Sequence, residues 1–226
     1  MKIIELEEVT STNEYLKQND LGEDIIVSAK RQSAGKGTKG RSFVSADGGL
    51  YISVMRHYTN LPASDAFKIM VNACVAVCKT LEKFKLSPVV RWSNDVLVGG
   101  KKISGTLIEN TFSGDKIIRS IVGIGINVYN DLPEELKAVA TTVSESCGKK
   151  ISVQAVRDEL IKNLQKEFTV TDYKKFITWF GKTVTLHTAD SEYQATAKDV
   201  LPDGRLVVDR NGEILKISSA EVTLRI

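Results

Sequence analysis

The sequence predicts an α+β body followed by a small β-barrel, and three observations carry that prediction. From Ser64 onward, Phe67, Met70, Val71, Cys74, Val77, Cys78 and Leu81 recur at helical spacing, the stripe of a helix packed on a sheet. The runs 50–55, 89–92 and 117–128 read as strands around it. Beyond Gly181 the chain turns into short strand-like runs punctuated by Asp203-Gly204 and Asn211-Gly212, pairs suited to tight hairpins.

In chain order, Ser11-Thr12-Asn13-Glu14 has the S-x-x-E spacing of a capping box and opens a helix at Tyr15-Leu16. The hydroxyls and amide of Ser11, Thr12 and Asn13 either only cap that helix or also face a polar ligand. Ile25-Ile26-Val27-Ser28-Ala29 is a strand. Pro88 stops the long helix, Ser93-Asn94-Asp95 is a turn, and Gly99-Gly100 joins 96–98 to the strand 101–109 as a two-residue hairpin. Pro133-Glu134-Glu135 opens a short helix, with proline in the first turn and acids at the positive dipole end. Ser152 starts another helix, with Val153, Val156, Leu160, Leu164 and Phe168 on one face, and 173–179 is a last one. The strand candidates beyond it are 183–187, 193–197, 206–208, 214–217 and 222–224.

Composition narrows the function. The 226 residues carry 31 Lys+Arg against 28 Asp+Glu, a net +3 that argues against a dedicated nucleic-acid binder or a membrane-surface protein. No apolar run approaches the roughly 20 residues that span a bilayer, and the acidic start, Met1-Lys2-Ile3-Ile4-Glu5, is unlike a secretory signal. Cys74, Cys78 and Cys147 form no C-x-x-C pair, so neither a disulfide framework nor a protein-held metal is expected, and a cytoplasmic location is. His57 and His187 lie in unrelated elements and are not expected to be catalytic.

The chemistry-bearing stretch is Gln32-Ser33-Ala34-Gly35-Lys36-Gly37-Thr38-Lys39-Gly40-Arg41-Ser42-Phe43. Glycine lets main-chain N–H groups approach a ligand, and interleaved cations neutralise phosphate or carboxylate. It fits neither a Walker loop nor a dinucleotide fingerprint. It reads as a basic surface loop or as a clamp on an anionic nucleotide. Arg91 in a buried strand needs a partner: Asp95 or Glu109 as a structural pair, or an anionic ligand. Gly123 and Gly125 in a buried strand imply that something passes close to its backbone.

Taken in order, these segments resemble the bacterial biotin protein ligases over nearly the whole chain. Ser11-Thr12-Asn13 is similar to the family's S-T-N opening, and 32–43 to its Q-x-A-G-R-G-R-x-G-R-x-W loop. Arg91-Trp92-Ser93-Asn94-Asp95 resembles K-W-P-N-D, and 102–109 resembles K-[IL]-[AS]-G-I-L-[VI]-E. Residues 123–128 match G-[IA]-G-[IL]-N-[VM].

The resemblance implies a mixed-sheet catalytic domain of the class II aminoacyl-tRNA-synthetase-like, biotin/lipoate ligase type over 1–180, and an SH3-like β domain over 181–226. It implies ATP-dependent activation of biotin as biotinyl-5′-AMP, with Mg²⁺, and transfer to a lysine of a biotin carboxyl carrier protein. Ser11, Thr12, Asn13, Gln32, Gly35, Lys36, Arg91, Gly123 and Gly125 would then meet biotin. Lys36, Thr38, Arg41, Phe43, Arg91, Asn94 and Asn127 would meet ATP, with Phe43 on the adenine and Arg91 and Lys36 as the catalytic cations.

The chain also departs from the family. Arg91 stands for lysine, Thr38 and Lys36 for arginines, Phe43 for tryptophan and Ser93 for proline; Lys39, one position on from Thr38, is expected to point elsewhere. Losing one charge-assisted hydrogen bond costs on the order of 1.5–3 kcal/mol, so a slow ligase, or one that holds its adenylate loosely, is expected. The alternative is a degenerate paralogue that binds biotin or a related acyl acid without efficient adenylation. An acyltransferase of lipoate or octanoyl type fits the loop and the β tail less well. About ten residues precede Ser11, too few for a DNA-binding domain, so no nucleic-acid or membrane partner is expected. The protein would act as a monomer or homodimer.

Overall fold

The computed structural model describes residues 1–188, 191–219 and 223–225. Seven strands build the larger sheet: β1 (Lys2–Val9), β2 (Ile25–Gln32), β3 (Leu50–Pro62), β4 (Pro88–Arg91), β5 (Asp95–Val98), β6 (Lys101–Ser113) and β7 (Lys116–Ile126). Their spatial order is β1-β2-β3-β7-β6-β5-β4. β1 and β2 are parallel and every other neighbouring pair is antiparallel.

Alternation along the strands gives the sheet two unlike faces. Leu50, Ile52 and Val54 of β3, with Val122, Ile124 and Ile126 of β7, join the main core under α2 (Ala66–Lys83). α2 follows the expected stripe, burying Cys74, Val77, Cys78 and Leu81. Burial pushes the Cys74 thiol up to about 12, with Asp95 adding to the effect. α4 (Val153–Leu164) packs against α2 and is capped by Ser152, whose Oγ accepts from the Ala155 N–H.

On the opposite face lie Tyr51, Ser53 and Met55 of β3 and Ile121, Gly123 and Gly125 of β7. α1 (Thr12–Gln18) seats Leu16 there among Ile25, Val27, Met55 and Ile121. That helix is short, so much of the face stays free for a cavity.

Several expectations change in detail. The 133–135 segment forms a single 3₁₀ turn, Glu134–Leu136. α3 (Val143–Cys147), between a Thr142 cap and left-handed Gly148, had no apolar periodicity to announce it. The predicted helix over 173–179 is α5 (Val170–Lys174), begun by a Thr169–Asp172 capping box. Past α5 the chain runs alongside β4, where Val90 N–H donates to Phe176 O, so that edge of the sheet is covered. β1, at the other edge, pairs among the described residues with β2 alone.

The C-terminal strands form a second, antiparallel sheet: β8 (Thr183–His187), β9 (Glu192–Val200), β10 (Leu206–Arg210), β11 (Glu213–Ile217) and β12 (Thr223–Arg225), in the order β11-β10-β9-β8-β12. Asn211 (φ 55°) and Gly212 (φ 91°) are both left-handed, as the expected hairpin requires. Val222, expected in the last strand, lies outside the described residues.

Candidate functional site

A cavity of about 330 Å³ opens between α1, the 32–43 loop, the β4–β5 turn and the glycine stretches of β6 and β7. Of the expected site residues, Ser11, Thr12, Asn13, Gln32, Lys36, Thr38, Arg41, Phe43, Arg91, Asn94, Gly123 and Gly125 all line it.

One end is polar and closely bonded. Ser11, Thr12 and Asn13 are each 3% exposed. Thr12 N–H and Oγ1–H both point at Gln32 Oε1 (2.9 and 3.0 Å), and Gln32 Nε2 donates to Ser45 Oγ (2.8 Å). Ser53 Oγ donates to Asn13 Oδ1 at 2.5 Å and sits 2.6 Å from Thr12 Oγ1. Asn13 Nδ2 donates to Glu109 (2.7 Å), which also takes Lys17 Nζ at 2.6 Å. The expected capping box does not form. Ser11 makes no side-chain cap, and Glu14 turns to Lys36 (2.6 Å) and Lys17 (3.0 Å) instead, because two cations outcompete one backbone N–H. Those bonds, Lys36 first, hold the Glu14 carboxyl below its ordinary value.

The two strand glycines have separate reasons. A Cβ on Gly123 would stand 2.3 Å from Asn13 Oδ1, and one on Gly125 would stand 2.6 Å from the Phe43 ring. What passes close to β7 is thus the protein's own Asn13 amide and Phe43 ring.

The 32–43 loop folds back on itself. Gly37 N–H donates to Arg41 O (2.7 Å), and Phe43 N–H to Gly35 O (2.8 Å). Lys39 at the tip is left-handed (φ 57°). Lys39, expected to point elsewhere, borders the cavity while remaining solvent-exposed. Burial, and then the nearby Arg41, push its ammonium pKa down.

At the other end Asp95 lies between two cations, with Arg91 Nη2 at 2.6 Å and Lys102 Nζ at 2.7 Å. Lys102 also stands 5.7 Å over the Phe43 ring. Arg91 therefore has its structural partner, Asp95 rather than Glu109, while facing the cavity as well. Asn94 is locked to β6, its Nδ2 donating to Thr106 O (2.9 Å).

Two expected residues do not line the cavity. Gly35 packs behind the loop, where a Cβ would meet Phe43 O at 2.4 Å and Ser45 Oγ at 2.5 Å. Asn127 is buried, its Nδ2 donating to Thr141 O (3.2 Å) and its backbone tied to Ile103 and Val143. His57 pairs with Asp20 (3.2 Å) and His187 with Glu192 (2.8 Å), neither in the lining.

Sequence reasoning missed Lys102, Asp95, Tyr51, Ser53, Gly105 and Leu107. Period-2 alternation held the signal for Tyr51 and Ser53 of β3, for Asp95 opposite Gly105, and for Gly105 and Leu107 of β6. Lys102, of opposite parity to Gly105, reaches the cavity through the register shift between β5 and β6. Gly105 pairs with Gly125 and Leu107 with Gly123, so placing one glycine pair in the cavity places the other strand's residues too.

Among the described residues no group of three or more His, Cys, Asp or Glu is arranged to hold a metal ion. Asp95, the carboxylate in the lining, is already shared by two cations. The donor set does not fit a resident metal.

Residues 5–127 match the Biotin/lipoate A/B protein ligase family, and residues 180–225 match the Biotin protein ligase C terminal domain. The fold is similar to that of a biotin protein ligase from Aquifex aeolicus solved in complex with biotin and ATP. The TM-score is 0.76 at 30% identity, over 99% of this chain and 98% of that one. The bifunctional ligase/repressor BirA of Bacillus subtilis is 29% identical over 97% of this chain and 72% of its own length. A biotin–[acetyl-CoA-carboxylase] ligase of Mycobacterium tuberculosis is 23% identical over 88% and 78%. With the family match spanning more than half of the chain and the mixed sheet bearing the same build, the chain belongs to the biotin/lipoate A/B protein ligase family.

Proposed function

We propose that this protein joins biotin to ATP, giving biotinyl-5′-AMP and pyrophosphate, and then passes the biotinyl group to a lysine of a biotin carboxyl carrier protein. One observation carries the reading. The buried Ser11-Thr12-Asn13 end and the cations Lys36, Lys39, Arg41, Arg91 and Lys102 border one cavity, and its glycine-lined floor is bridged by Phe43.

The ureido ring of biotin would sit against Ser11, Thr12, Asn13 and Gln32, with its tail passing over Gly123 toward Lys36. The nucleotide would lie with adenine on Phe43 and phosphates toward Arg41, Lys39, Asn94 and Arg91. A carboxylate oxygen attacks the α-phosphorus, a P–O bond forms, the α–β anhydride bond breaks and pyrophosphate leaves. The obstacle is repulsion between two anions, so positioning and fixed positive charge supply the catalysis. Lys36, Arg91 and Lys102 would supply that charge. In the second step the carrier amine attacks the biotinyl carbonyl, the C–O bond to phosphate breaks, AMP leaves and the amine loses its proton. Mg²⁺ belongs to this scheme as part of the nucleotide substrate.

Neither Gly35 nor Asn127 needs to touch ligand in this reading. Gly35 shapes the loop, and Asn127 ties the end of β7 to the segment before α3. The carrier would approach the cavity rim beside the β1 edge, and the division between the catalytic region and the SH3-like module falls at 180/181. The second reading, binding without efficient activation, draws on Thr38 at the loop tip and on the carboxylates already paired with Lys36 and Arg91. Incubation with ATP, Mg²⁺ and biotin, followed by mass analysis for biotinyl-5′-AMP, separates the two. Absence of the adenylate, with biotin bound, selects the second.

A further inference from the structure

Arg91 and Asn94 reach the cavity from the turn joining β4 and β5. β4 has only four residues and lies at the sheet edge, so its own ladder restrains that turn weakly. Two aromatic donors hold the segment from outside, and Trp92 reaches out from the turn itself. Trp179 Nε1 donates to Val90 O (2.7 Å), Tyr173 OH to Ser93 O (2.8 Å), and Trp92 Nε1 to Gly204 O (2.9 Å).

Of these bonds, the one from Trp92 crosses to the second sheet. Gly204 sits in the turn between β9 and β10, closed by Leu201 N–H to Arg205 O (2.8 Å) and Gly204 N–H to Leu201 O (2.9 Å). Its φ is +88°, and a Cβ there would stand 2.5 Å from the Phe67 ring. Phe67 in turn meets Tyr173 edge-on, ring centroids 5.4 Å apart. A continuous packed path thus runs from Gly204 through Phe67 and Tyr173 to the Ser93 carbonyl, beside the direct bond to Trp92. Gly204 itself does not line the cavity.

We propose that the 201–205 turn of the C-terminal module is a positioning element for the nucleotide end of the cavity. Gly204 and Trp92 act as positioning residues that fix Arg91 and Asn94. The inference rests on the adenylation reading above and extends it by giving the C-terminal sheet a part in the first half-reaction. A displacement of about 1 Å at a reacting centre costs on the order of a hundredfold, so a loosened turn reads out as lost rate or raised KM for ATP.

Two variants test it. Trp92→Phe keeps the ring and removes the N–H donor; Gly204→Ala drives a methyl at Phe67 and touches nothing in the cavity. Both are expected to change pyrophosphate exchange through KM for ATP or kcat by about tenfold or more. Biotin affinity by calorimetry should stay within about twofold, because the Ser11–Gln32 end is untouched. Amide hydrogen exchange over 91–95 should quicken in both. Lowered melting temperature with unchanged ATP kinetics and unchanged exchange at 91–95 would mean the contact only holds the sheets together, and the proposal is then wrong. If the wild-type protein makes no adenylate, the functional reading falls instead, and amide exchange at 91–95 still decides the positioning claim. Should Gly204→Ala fail to fold, amide exchange at 91–95 in Trp92→Phe decides it, because Trp92 itself lines the cavity and its ATP kinetics can change directly; unchanged exchange there overturns the proposal.

Discussion

Arg91→Ala is the sharpest perturbation of the proposed centre. In the folded chain Asp95 is shared between Arg91 and Lys102, a cluster with net charge +1. Removing Arg91 leaves a neutral Asp95–Lys102 pair facing two substrate anions. Deleting one charge-assisted hydrogen bond costs about 1.5–3 kcal/mol, or roughly one to two decades in rate. Arg91 is assigned to both the carboxylate and the phosphate, so two to four decades are expected, approaching abolition. Folding should survive, because Asp95 keeps Lys102 as a counterion. Arg91→Lys retains the charge and is expected to preserve or improve activity, although an ammonium loses the planar fork. The assay is biotin-dependent ATP–pyrophosphate exchange, with the melting temperature as control. Exchange by Arg91→Ala within about threefold of wild type would refute the assignment.

The remaining predictions concern the loop and the glycines. Thr38→Arg adds a cation at the loop tip and should lengthen the lifetime of enzyme-bound adenylate about tenfold, the effect of one modest charge-assisted hydrogen bond; chromatography of released biotinyl-5′-AMP reads it, and an unchanged lifetime counts against a loosely held intermediate. Gly123→Ala collides with Asn13 Oδ1 and should weaken biotin binding, whereas Gly125→Ala collides with the Phe43 ring and should raise KM for ATP. Equal effects of both glycine variants on both ligands would erase the proposed division of the cavity. Because Lys36 and Lys17 hold Glu14 below its ordinary carboxyl value of 4.5, its contribution to stability is full above that pH and disappears as pH falls through the lower folded value. The melting temperature of Glu14→Gln should therefore lie below wild type at neutral pH and converge with it in acid; a gap that persists in acid would show that the ion pairs are not its source.

Periodicity made most of the fold legible. The stripe on α2, the Gly99-Gly100 hairpin and the paired turn residues of the second sheet are local signals, and each produced its element. Long-range competition hid what was missed. The S-x-x-E spacing is a good capping box until Lys36, brought in by a distant loop, takes Glu14 away. The 173–179 run is apolar enough for a helix, yet its second half is held alongside β4 by the Trp179 bond to Val90 O. In the cavity, the motif residues were readable because chemistry concentrates them, but Gly35 and Asn127 show that a residue in a motif can serve the shape of the site from behind it. Lys39 fell outside the expected set because the expectation assumed an extended loop, whereas its backbone is left-handed.

The cations at the two ends of the cavity are kept company by carboxylates of the chain itself, Lys36 by Glu14 and Arg91 with Lys102 by Asp95. Entry of an anionic guest is thus an exchange of partners. At the Arg91–Asp95–Lys102 cluster part of the dehydration penalty is met during folding, whereas Lys36 stays half exposed to water. Selectivity then rests on outcompeting an internal carboxylate, which favours a guest offering two anionic groups at the right separation over one offering a single group.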